Sequence, residues 1–97
     1  MTREVSTELV KPGSFAHFVI RCSDKVKSVQ GYAAVLGMEP VHENPMITFM
    51  TYDDEHHRLA LVQNQGDEKL SRTAPGMDHV AYTLNSLGDL MSTYKRL

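Results

Sequence analysis

The stretch that decides the fold is Ser14-Phe15-Ala16-His17-Phe18-Val19-Ile20-Arg21-Cys22, which returns later as Gly76-Met77-Asp78-His79-Val80-Ala81-Tyr82-Thr83-Leu84. Both copies are rich in apolar, β-branched and aromatic residues, and both follow a proline, which is typical of β-strands. When the two copies are aligned, His17 falls on His79. The chain therefore contains two matched units, each with a histidine at the same depth in its strand, and the repeat predicts that the two units face one another.

The first strand is predicted to have two different faces, because successive side chains of a strand point to opposite sides of a sheet. One face is uniformly apolar and should meet a helix layer; it carries Ala16, Phe18, Ile20 and Cys22. The other face carries His17 and Val19. We expect this second face to look toward a cavity or the solvent.

A helix is predicted to follow the first strand. Asp24 can cap its start, and Gly37 can end it after Leu36. Apolar residues recur at helical spacing along it, which places Lys25 on the outer, solvent side. Three further strands should complete the unit, over residues 38–43, 46–52 and 58–63.

The predicted fold class is α+β, a βαβββ module followed by the βα start of a second module. We divide the chain into an N-terminal tail (1–13), the first module (14–64), a linker loop (65–76) and the start of the second module (77–97). The last helix stops within its own apolar stripe, at Leu97. From this we expect that the second module is truncated and that the chain is a fragment of a longer protein.

Composition excludes several classes of protein. A net charge of −2 over 97 residues gives no electrostatic case for nucleic acid or for an anionic membrane. No apolar run is long enough to span a bilayer, and the N-terminus lacks the apolar core of a signal peptide. Cys22 is the single cysteine, which excludes an intrachain disulfide and fits a reducing compartment. We expect a cytoplasmic protein with neither a nucleic-acid nor a membrane partner.

Four motifs together resemble the vicinal oxygen chelate superfamily, which includes glyoxalase I, bleomycin-resistance proteins and extradiol ring-cleaving dioxygenases. They are Phe15–Arg21, Tyr32–Met38, Asp53–Leu61 and Gly76–Tyr82. The last two look most like the extradiol dioxygenases. The resemblance implies βαβββ modules in pairs, with curved sheets that enclose a metal site.

The resemblance also implies which residues bind the metal. The histidine on the first strand of each module matches His17 and His79. The glutamate ligand of glyoxalase I-like members falls at or near Ala60, so that ligand is absent. In the dioxygenases a glutamate of the second module completes the site, and its strand would lie beyond Leu97, so the third protein ligand is not expected in this chain. The resemblance identifies no catalytic residue and no organic cofactor site.

Two histidines and one carboxylate on one side of Fe(II), with Mn(II) as the alternative, leave positions open for a bidentate catecholate and for O₂. The first hypothesis is therefore an extradiol-type, metal-dependent ring-cleaving dioxygenase of catechol-like aromatic diols, or an N-terminal fragment that is inactive alone. The alternative is a metal-free small-molecule binding protein of the bleomycin-resistance type. A glyoxalase- or epimerase-like isomerase ranks third.

The other polar candidates have more ordinary interpretations. His56 and His57 fall in a charged hairpin turn, where we expect both in solvent, and we expect the same of His42. Glu39 and Glu43 are the nearby strand carboxylates that could stand in for the missing ligand.

An assembly is also predicted. A single curved module leaves one apolar face of its sheet uncovered, and we expect that face to bear Val19, Leu59 and Leu61 or their neighbours. Two copies related by a two-fold axis could cover each other's sheets, so the sequence predicts a homodimer or a higher even assembly.

Overall fold

The computed structural model describes residues 8–66 and 73–97. Its elements are β1 (Phe18–Cys22), α1 (Lys25–Leu36), β2 (Glu39–Glu43), β3 (Ile47–Thr51), β4 (Leu59–Gln63) and α2 (Leu87–Arg96). The strands form one mixed sheet in the order β1-β4-β3-β2, in which β1 and β4 are parallel and the other pairs antiparallel. The α+β class and the βαβββ module are confirmed.

Parts of two predicted segments lie outside the described residues, namely 1–7 of the tail and 67–72 of the linker loop. Within the described ranges, neither helix has the length and apolar character needed to cross a membrane.

Helix α1 begins and ends where its capping residues predict. The Asp24 side chain accepts a hydrogen bond from the backbone N–H of Lys27 at 3.2 Å, which satisfies one of the free donors of the first turn. At the other end Gly37 adopts the left-handed conformation with φ of 64°, and its N–H donates to the Ala33 carbonyl at 3.1 Å.

Gly37→Ala is expected to lower the free energy of unfolding by about 1 kcal/mol, because a non-glycine residue is strained at this positive φ. Beyond the adjoining residues an added Cβ would meet no atom within 4 Å, so the loss would come from local backbone strain rather than from a clash with the surrounding structure. Gly31→Ala is the matched control, since Gly31 lies within α1 and its added Cβ also has open space. There alanine should stabilise by about 0.5–1 kcal/mol. Urea denaturation of both variants measures the difference, and equal shifts would contradict it.

The hydrophobic core lies between α1 and one face of the sheet. Strand pairing puts Phe18 opposite Leu59 and Ile20 opposite Leu61, so all four share that face. Both leucines are fully buried there. The predicted helix-facing side of β1 is confirmed by this packing. The expectation that Leu59 and Leu61 lie on the uncovered face is wrong, because the parallel register turns them toward α1.

Lys25 also departs from its predicted position. Its side chain is buried within the helix–sheet layer, where Nζ donates to the Thr48 hydroxyl at 2.7 Å and lies 3.7 Å from a Glu43 carboxylate oxygen. Its backbone N–H donates to the Gln63 side-chain oxygen at 2.9 Å. The first turn of α1 is therefore held against β3 and β4 by polar contacts, and a buried cation is tolerated because it is hydrogen-bonded and paired.

The predicted second unit is present in part. Helix α2 starts at its cap, where the Ser86 hydroxyl accepts from the backbone N–H of Asp89 at 3.1 Å. Residues 77–84, however, do not form the predicted strand. Apolar alternation alone cannot make a strand, since strand structure requires a hydrogen-bonded neighbour, and β1, the nearest edge, pairs with β4 alone in the described sheet.

Candidate functional site

The face of the sheet opposite α1 carries one continuous row of side chains. Register places Val19 beside Ala60, Ala60 beside Phe49, and Phe49 beside His42 across all four strands. Directly paired residues point to the same side of a sheet, so these four share a face. We call it the open face, because no helix of the described chain packs on it; Val19 is 56% exposed there.

Four of the five histidines of the chain gather at one end of the open face. Around the Phe49 ring lie His57 at 4.7 Å, His42 at 5.9 Å and His56 at 6.1 Å between ring centroids. His17, directly before β1, lies on the His57 ring with a centroid distance of 4.1 Å. The face that was predicted to carry His17 toward a cavity or solvent therefore carries a histidine cluster.

His57 is the member of this cluster that sequence reasoning missed. It is half-buried, whereas His56 and His42 are exposed as predicted. Burial holds the pKa of His57 below its usual value, and the neighbouring His17 and His56 lower it further. The Nδ1 atoms of His56 and His57 lie 2.8 Å apart, so one of these two rings donates to the other. These effects favour the neutral form of the His57 ring, and a neutral ring can accept a proton.

The second predicted ligand lies elsewhere. His79 precedes α2, its side chain is 80% exposed, and its Nδ1 lies 2.8 Å from a carboxylate oxygen of Asp78. Across residues 8–66 and 73–97, no three histidine, cysteine or carboxylate side chains converge in a way that could hold a metal ion. The described part of this chain thus does not form a complete metal site by itself.

A separate cleft of about 890 Å³ lies between the start of β1 and residues 80–96. Its walls include four aromatic residues, Phe15, Phe18, Tyr52 and Tyr82. The Tyr82 hydroxyl is buried there without a hydrogen-bond partner among the described residues, and burial raises the pKa of Tyr82. No histidine lines this cleft, so it is distinct from the cluster on the open face.

Comparison with known proteins decides the family. A sequence model of the Glyoxalase/Bleomycin resistance protein/Dioxygenase superfamily matches residues 14–97. The chain belongs to this superfamily. The resemblance found in the sequence motifs is thereby confirmed.

Two curated relatives of this chain come from Rhodococcus globerulus. Biphenyl-2,3-diol 1,2-dioxygenase 3 is 42% identical over 84 residues, which cover 84% of this chain and 44% of the relative. Biphenyl-2,3-diol 1,2-dioxygenase 2 is 39% identical over 84 residues, covering 86% of this chain and 44% of the relative. The chain thus spans a little under half the length of each. No solved structure gave a significant match.

The nearby carboxylates do not complete a site in this superfamily chain. Glu43 lies on the helix side, where it accepts from the Thr48 hydroxyl at 3.2 Å. Glu39 pairs in register with Thr51 and so lies on the open face, yet it joins no group of three ligands among the described residues. Ala60, where the resemblance to glyoxalase I implies a glutamate, is buried in the middle of the open face, and a methyl group has no lone pair to offer a metal.

Proposed function

We propose that this chain is part of a metal-dependent, extradiol-type dioxygenase that cleaves catechol-like aromatic diols with O₂. The observation that carries the proposal is the 42% identity to a protein named as a biphenyl-2,3-diol 1,2-dioxygenase. The identity covers most of this chain and does so in two relatives of the same named activity. The histidine cluster on the open face supports the proposal, because imidazole is a suitable ligand for iron.

We assign His17 and His79 as two protein ligands of the metal, with Fe(II) preferred over Mn(II). Histidine imidazole suits iron, and the superfamily match spans both positions. A third ligand would have to come from outside the described residues, because none of those residues completes a group of three.

His57 is assigned as the group that accepts a proton from a diol hydroxyl. It lies next to His17, its lowered pKa favours the neutral ring, and the Phe49 ring covers one of its sides. A neutral imidazole within reach of a substrate hydroxyl is suited to general-base catalysis.

The test uses the polypeptide that carries this sequence, purified from the organism that makes it and loaded with Fe(II). We expect saturable O₂ uptake with a 1,2-diol such as biphenyl-2,3-diol, and a product whose mass is the diol plus both atoms of one O₂. An aromatic 1,3-diol is the control, because its two hydroxyls lie too far apart on the ring to chelate one ion. Diol binding without O₂ uptake at full iron loading would reject the dioxygenase assignment.

A metal-free binding protein of the bleomycin-resistance type is the second candidate. Ala60 at the position of a family ligand favours it, together with the lack of a three-ligand group in the described residues. Purified protein that takes up no iron yet binds an aromatic ligand saturably would support this candidate. The glyoxalase- or epimerase-like isomerase remains third, since such a site would need a carboxylate where Ala60 stands.

We also propose a homodimer, in a cytoplasmic setting. Besides the open face, α2 exposes an apolar stripe formed by Leu87, Leu90, Met91 and Tyr94. Exposed apolar patches of this kind mark association sites, and a two-fold axis would bring the same patch of both copies together. Sedimentation equilibrium at micromolar concentration should give twice the chain mass, and a monomer there would reject the dimer.

A further inference from the structure

We propose that Arg58 is a positioning residue that holds His17 against His57, and that Asp53 holds Arg58 in place. The inference rests on the proposed function in that both histidines belong to the candidate dioxygenase site. Arg58 follows His57 directly in the chain, and the two carbonyls it binds directly precede His17.

The Arg58 side chain connects the two segments that carry these rings. Its Nη1 donates to the carbonyls of Phe15 and Ala16, the latter at 3.0 Å. Its Nε and Nη2 donate to the carboxylate of Asp53, with Nη2 at 2.8 Å from Oδ2. The guanidinium is therefore a fork with one arm on the segment before β1 and the other on the turn between β3 and β4.

The backbone of Arg58 fixes the base of that fork. Its N–H donates to the Met50 carbonyl at 2.8 Å, and its own carbonyl accepts from the N–H of Phe18 at 3.2 Å. These bonds tie Arg58 to the end of β3 and to the start of β1. The position of the guanidinium relative to the sheet is thus set on both sides.

Asp53 is itself held in the turn. Its Oδ1 accepts from the Glu55 N–H at 3.1 Å and from the Thr51 hydroxyl at 3.2 Å. The ion pair is partly shielded, since 17% of the Arg58 side chain and 36% of the Asp53 side chain are exposed. A two-pronged arginine–carboxylate pair fixes orientation as well as distance, which a lysine ammonium cannot do.

The contact that depends on this fork is the 4.1 Å approach of the His17 and His57 rings. His17 precedes β1 and His57 precedes β4, so neither ring-bearing residue is held by a strand ladder. Arg58 supplies that support instead, because its side chain binds the backbone just before His17 while its own backbone directly follows His57. Catalytic groups must be held to a fraction of an ångström, because a displacement of about 1 Å can cost on the order of 100-fold in rate.

The test is an NMR measurement on the protein without metal. In the wild-type chain we expect a nuclear Overhauser cross-peak between ring protons of His17 and His57. In Arg58→Met a ring displacement of about 1 Å should reduce it to roughly a third, because the effect falls with the sixth power of distance. Arg96→Met is the matched control, since Arg96 also donates to a backbone carbonyl, that of Ala34, away from the cluster. Its cross-peak should remain at wild-type intensity.

Wild-type cross-peak intensity in folded Arg58→Met would overturn the proposal, and so would an equal loss in Arg96→Met. If Arg58→Met does not fold, Arg58→Lys decides, because lysine keeps the charge but cannot reach both arms; an undiminished cross-peak in that variant also overturns the proposal. Because the ring contact is measured without substrate, a failed O₂-uptake experiment would reject the proposed function and leave this result standing.

Discussion

Replacing either His17 or His79 with alanine is expected to lower the affinity of the purified protein for Fe(II) by about 100-fold or more, since loss of a residue that merely orients a ligand already costs about 10–100-fold. Each variant removes one of the two imidazole ligands proposed for the metal. His17 belongs to the first unit of the chain and His79 to the second. The measurement is iron content after reconstitution and dialysis, read alongside O₂ uptake on a 1,2-diol.

His42→Ala is the matched control for both variants. His42 is a histidine of the same open face, exposed and 5.9 Å from the Phe49 ring, but it is not assigned to the metal. Its iron content should equal that of the wild type. Unchanged iron in both His17→Ala and His79→Ala would show that the ligand assignment is wrong, whereas equal loss in all three variants would indicate a general effect on folding.

The sequence predicted the first strand and helix well because their signals are local. Alternation within residues 14–22 was enough to identify the helix-facing side of β1, and the caps Asp24 and Gly37 were enough to bound α1. Each of these features depends on residues within a few positions of one another. The three remaining strands were also predicted from the residue pattern, at 38–43, 46–52 and 58–63, and the structure has them at Glu39–Glu43, Ile47–Thr51 and Leu59–Gln63.

What local pattern could not supply was register between distant strands. Leu59 lies on the helix side because Phe18 pairs with it across a long stretch of chain, and a shift of one residue would turn it to the open face. His57 was misjudged for the same reason, since its approach to His17 follows from that pairing and from the Arg58 fork. Lys25 was misjudged because its partner, Thr48, is supplied by β3.

The sequence predicted that histidines form the candidate site, but it did not predict how their side chains are arranged. His17 could be chosen from the repeat, but the cluster around Phe49 forms from four separate segments of the chain. Residues 77–84 are a case in which the local pattern misled. Their alternation is typical of a strand, but they pair with no strand of the described sheet. The conformation of the segment that carries His79 therefore could not be predicted from local alternation, because strand formation also depends on a neighbouring strand.

The assignment of the two faces of the sheet leads to the other large expected effect. Leu61→Ala should lower the free energy of unfolding by about 3 kcal/mol, through the lost transfer free energy and the cavity left behind. Leu61 is fully buried between α1 and the sheet, where its neighbours can collapse only in part. For a domain of this size the loss is a large fraction of total stability. Urea denaturation followed by far-UV circular dichroism measures it.

Val19→Ala is the control on the open face, where the side chain is 56% exposed. At a protein concentration too low for the dimer to form, Val19→Ala should lower the free energy of unfolding by less than about 0.5 kcal/mol. If the homodimer covers the open face, the cost of Val19→Ala should grow with protein concentration, because association stabilises the folded state by mass action. The cost of Leu61→Ala should not change with concentration. Equal and concentration-independent losses in both variants would contradict the division into a helix-covered face and an open one.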